Sequence, residues 1–124
     1  LKAELLLVNV INQRDVDMTK KVAEQVPAFS FENYLEETRK DREDRFQQLI
    51  NEAACEDLPI KTSIRIGVPY EELLLVIESK KPDLLVMATQ GRSNLVNTII
   101  GSCAQKMFRR CPIPLTTIRG DDIM

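Results

Sequence analysis

The succession of hydrophobic patterns along this chain predicts an α/β domain, with a parallel sheet held between layers of helices. Three observations carry the prediction. Residues 3–11, AELLLVNVI, form an almost unbroken apolar run, as in a strand buried on both faces. Strand-like and helix-like stretches then alternate as strand, helix, strand, helix, strand, helix, strand, the pattern of right-handed βαβ units. Prolines and glycines fall mainly between those stretches, where the chain has to turn.

Taken in order, residues 3–11 are the first strand. Residues 12–30 read as a polar connection with a short helix at 19–26, which Pro27 ends. Ser30 can cap the next helix, with Asn33 at the position where a capping box places Glu or Gln. That helix runs over 31–56, with an apolar stripe of Leu35, Phe46, Leu49, Ile50, Ala53 and Ala54. The charged run from Thr38 to Arg45 alternates in sign and reads as a solvated face with helical ion pairs. Residues 60–66, IKTSIRI, alternate apolar and polar with β-branched residues, so they form a strand. Gly67-Val68-Pro69 turns into a helix whose first turn carries Glu71 and Glu72, and whose inner face is Leu73, Leu74, Val76 and Ile77. Residues 84–88 are a second core strand. A glycine loop and a helical turn around 95–100 follow it, and then a helix over 102–110 that Cys111-Pro112-Ile113-Pro114 breaks. Residues 115–119 are a last strand, placed by its prolines at a sheet edge.

Composition narrows the function classes. At 124 residues, one domain spanning 1–124 is expected, large enough to bury roughly two-thirds of its unfolded surface. A net charge of −2, few aromatics and no tryptophan argue against nucleic acid or an anionic membrane as partner. No apolar run reaches the length of a membrane span, and no signal peptide is recognisable. Cys55, Cys103 and Cys111 are odd in number and lack metal-ligand spacing, which fits a reducing compartment. The chain has no histidine, so it cannot build a Ser-His, Cys-His or His-metal site by itself.

Chemistry concentrates in PDLLVMATQGRSNLVNTIIGSCAQKMFRR, residues 82–110. An apolar strand runs into Gly91-Arg92, and a helix then opens at Gly101-Ser102. Ligands of open α/β sheets sit at the carboxyl ends of strands. The free N–H groups and dipole of a helix N-terminus attract anions there, and glycine allows close approach. Arg92 can pair with phosphate oxygens, or it is a surface arginine in a plain loop. Gly101-Ser102 can join two helical pieces, with Ser102 as N-cap, or present N–H groups and a hydroxyl to a phosphate, and the two readings are compatible. Walker A and GxGxxG patterns are both missing. Cys103 and Cys111 read as small buried hydrophobes.

With these residues in view, the chain resembles the universal stress protein family over essentially its whole length. That family's nucleotide motif runs Gly, two residues, Gly, nine residues, Gly-Ser or Gly-Thr. Here Ala88-Thr89-Gln90-Gly91, nine residues and Gly101-Ser102 keep the spacing, with Ala88 in place of the first glycine. AELLLVNVI, IRIGVPYEEL and CPIPLTTIR resemble the family's second strand, its third strand with turn and helix, and its closing strand. The resemblance implies a flavodoxin-like, doubly wound α/β fold of the adenine nucleotide alpha hydrolase-like type. It also implies a further strand and helix ahead of Leu1, whose lack would leave a hole in the sheet beside the pocket. For function it implies binding of ATP or a related adenine nucleotide, possible company of Mg²⁺, and work as a cytoplasmic stress-response regulator with at most slow ATP hydrolysis. Val10 and Met87 match positions flanking the adenine. Ala88 and Gln90 match loop positions beside the ribose and phosphates, and Gly91, Arg92, Gly101, Ser102 and Cys103 match the phosphate cradle. The methyl group of Ala88 is the smallest departure from glycine, so weakened rather than abolished binding is expected. The resemblance further implies a homodimer through Leu115–Ile118. The alternative expectation is a dimeric interaction module of the same fold that binds no nucleotide.

Overall fold

The first strand and the helix after it share one residue that ends the one and starts the other. The strand β1 covers Leu5–Asn12, and the side-chain oxygen of Asn12 accepts the Arg14 N–H at 3.0 Å, capping the helix α1, Gln13–Gln25. The computed structural model describes residues 3–53, 57–88 and 101–118, in two compact units divided after Val68. The sequence calls at Ala54, Cys55, Gln90, Gly91, Arg92, the helical turn around 95–100 and Arg119 lie outside the described residues.

The first unit continues from α1 into the helix α2, Phe31–Ala53, and the strand β2, Ile60–Gly67. α1 is longer than the 19–26 helix expected from sequence. Val16 is its one buried residue, so the apolar period that would reveal its first two turns is thin. Its end is as expected: Val26, before Pro27, is extended at φ −121°, a region that a following proline favours. Ser30 caps α2 as expected, its hydroxyl accepting the Asn33 N–H at 3.2 Å. β1 and β2 pair in parallel, Leu5 with Ile60 through Asn12 with Gly67, and the Leu5 N–H extends the ladder to the Pro59 carbonyl. A proline at this position costs nothing, because only its carbonyl is used.

Ile11, Val16 and Phe46 are the buried apolar residues of this unit. The stripe expected along α2 holds at Phe46, which is buried, and at Leu35 and Ile50, which are half-buried, but Leu49 is 50% exposed and Ala53 is exposed. Arg42 ties the helix to the sheet, donating to the Asn9 side-chain oxygen at 2.6 Å. A charged donor makes this a strong hydrogen bond. Asp41 and Arg45 form an i,i+4 pair at 3.4 Å with both side chains more than half exposed, as a solvated face requires.

The second unit opens with the helix α3, Pro69–Lys80, after the Gly67-Val68 turn. Pro69 stands where its missing N–H is not needed, Glu71 and Glu72 lie at the positive end of the dipole and Lys80 at the negative end. Strands β3, Leu85–Ala88, and β4, Leu115–Ile118, pair in parallel, with the helix α4, Ser102–Arg110, between them in the chain. The Leu85 N–H reaches the Pro114 carbonyl at 3.0 Å, repeating the entry seen at Pro59. α3 packs against α4, and Val76, Ile77, Ala104 and Met107 are the buried apolar residues. In both units the strands are parallel and joined through helices, as βαβ connections demand.

Candidate functional site

The start of α4 is the place where backbone chemistry is left open. Gly101 is its N-cap, with φ −60° and ψ 151°, and no side chain caps it. One of the two compatible sequence readings had Ser102 as the cap; Ser102 is instead the first residue of the helix, which spans 102–110 as expected, and its exposed side chain stands in the first turn. The Gln105 N–H is bonded to the Gly101 carbonyl at 3.1 Å, the first bond of the helix. The N–H groups of Ser102, Cys103 and Ala104 precede that bond and so have no partner within the helix. They carry the positive end of the α4 dipole, and no acidic residue sits in the first turn to compete with an anion.

The backbone of Gly101 is extended, a conformation open to any residue. Glycine is therefore not required there by its φ. What it supplies is a missing Cβ beside the outward-facing N–H groups, which allows close approach of a ligand.

Met87 and Ala88, half-buried, close the carboxyl end of β3 and pair with Thr117 and Ile118. Five of the expected site residues thus belong to one unit: Met87 and Ala88 at the end of β3, Gly101, Ser102 and Cys103 at the start of α4. Gln90, Gly91 and Arg92 fall in the stretch outside the described residues. Val10 belongs to the other unit, half-buried near the carboxyl end of β1, in register with Arg65.

Cys103 and Cys111 are half-buried free thiols. Burial pushes the Cys103 thiol above its ordinary value, with the Lys106 charge pulling the other way. That keeps it protonated near neutral pH, the opposite of an activated nucleophile. Cys111 donates weakly to the Ile113 carbonyl at 3.3 Å.

Sequence reasoning did not single out a cluster beside this helix. The Lys106 ammonium lies 4.3 Å from the centre of the Tyr70 ring, and the Arg110 guanidinium lies 5.2 Å from it. Lys106 and Arg110 are one turn apart, so their shared face was legible. Their aromatic partner on α3 was not. Among the described residues no group of His, Cys, Asp and Glu is arranged to hold a metal ion, and no helix is long and apolar enough to cross a membrane.

Parallel strands joined through helices define an α/β protein. Comparison with known proteins gives the class a name. The model of the universal stress protein family matches residues 1–119. Universal stress protein MJ0577 of Methanocaldococcus jannaschii is 23% identical, over 96% of this chain and 79% of that protein. A universal stress protein of Thermus aquaticus is 32% identical over 77% of this chain and 72% of its own length. The solved structure of protein MJ0577 is similar with a TM-score of 0.71 at 20% identity, covering 96% of this chain and 77% of that one. The structure of protein PH0823 gives 0.62 at 21% identity. This chain belongs to the universal stress protein family.

Proposed function

We propose that this protein binds ATP or a related adenine nucleotide and acts as a stress-response regulator in the cytoplasm. The observation that carries the reading is the open start of α4: an N-cap without side chain or side-chain cap, at the motif position where a phosphate is expected. Gly101, Ser102 and Cys103 hold the phosphates through their backbone and the Ser102 hydroxyl, together with Gly91 and Arg92. Met87 lies against the adenine, and Ala88 and Gln90 stand beside the ribose and phosphates. A Mg²⁺ ion accompanying the phosphates would find the Ser102 hydroxyl and no carboxylate among these residues, and would neutralise phosphate charge there. The assembly is a homodimer through Leu115–Ile118, β4 being an edge strand of its pair among the described residues. None of the proposed site residues is an evident general base, so at most slow hydrolysis is expected.

Calorimetric titration of the full-length protein with ATP tests this directly. Gly101→Val adds a Cβ at an extended backbone position that valine can adopt, so it crowds the ligand; valine caps a helix less well than glycine, so circular dichroism has to show that helix content is kept. The substitution should weaken ATP binding by about tenfold or more, a loss of about 1.4 kcal/mol. An unaltered protein that takes up no ATP at millimolar concentration rules the reading out. Turnover well above about one per minute replaces the regulator with an enzyme.

One observation favours a second reading. Ala88 places a methyl group where the motif has its first glycine, at the end of β3. If that methyl closes the pocket, the protein is an interaction module that works through its dimer without nucleotide. Titration of the unaltered protein separates the two: it binds ATP under the first reading, with Ala88→Gly strengthening the binding, and takes up none under the second, where Ala88→Gly opens the pocket and creates binding.

A further inference from the structure

We draw no further inference here: the strongest candidate, the exposed apolar row of Met18, Val22 and Val26 along α1 that continues to Phe29, is an unpartnered helix face, and nothing in the structure shows what covers it.

Discussion

Lys81 ends α3 in a conformation that costs a lysine energy. Its φ is 50°, and it is the one non-glycine residue in the left-handed region among the described residues. There the Cβ crowds the carbonyl oxygen that follows, at about 1–2 kcal/mol for a residue other than glycine. The helix requires the conformation: the Lys81 N–H bonds to the Ile77 carbonyl at 2.9 Å, the bond of a left-handed C-cap, and Pro82 then prevents continuation. Glycine removes the clash but adds freedom to the unfolded chain, worth about 0.5–1 kcal/mol against folding. The balance predicts that Lys81→Gly stabilises the protein by about 0.5–1 kcal/mol. Lys81 is exposed, so no buried packing is lost with its side chain. Urea unfolding reads the effect as a rise in midpoint at unchanged slope. Lys81→Ala is the control, because it removes the charge and keeps the Cβ, and it should gain nothing. A glycine variant no more stable than the parent, or an alanine variant stabilised equally, would refute the reasoning.

Three further predictions concern the second unit. Met107 is fully buried in α4, so Met107→Ala should cost about 2–4 kcal/mol in denaturant unfolding; a loss below about 1 kcal/mol would show the site collapsing around the smaller residue. Tyr70→Leu removes the ring beneath Lys106 and Arg110 and should cost about 0.5–1 kcal/mol in thermal unfolding, whereas Tyr70→Phe keeps the ring and should cost less than half of that. Because the Cys103 thiol is raised in the folded state, the unfolded chain loses its proton first as pH rises. The stability it contributes is complete below the unfolded thiol's pKa and is lost as pH climbs through the folded one, and Cys103→Ser should flatten that decline. Its alkylation should also lag behind that of a small-molecule thiol at mildly alkaline pH.

The fold was legible where a residue type does one thing. The apolar run of β1, the alternation of β2, Pro69 at the start of α3 and the proline pair after α4 each reported an element, and the predicted limits of α4 match the observed ones. α1 was cut short because its first turns carry only Val16 and Met18 among polar residues, too few apolar positions to mark a helical face before residue 19. The far end of the α2 stripe misled for the converse reason: Leu49 and Ala53 repeat at helical spacing yet stay exposed, and periodicity does not say where a covering surface ends. The open start of α4 was readable as Gly101-Ser102, although its cap is Gly101 rather than Ser102. The contact of the Tyr70 ring with two cations depends on the packing of α3 on α4, which one sequence does not encode locally.

The central claim is that the outward N–H groups at the start of α4 hold the phosphates of an adenine nucleotide. Amide proton–nitrogen NMR correlation spectra of the full-length protein, recorded through an ATP titration, test it most directly. The predicted result is a saturable shift of the Ser102, Cys103 and Ala104 amides, reproduced in part by ADP and absent with adenosine at the same concentration. Amides of that turn that stay still while ATP binds elsewhere, or a spectrum that ATP does not alter, would contradict it.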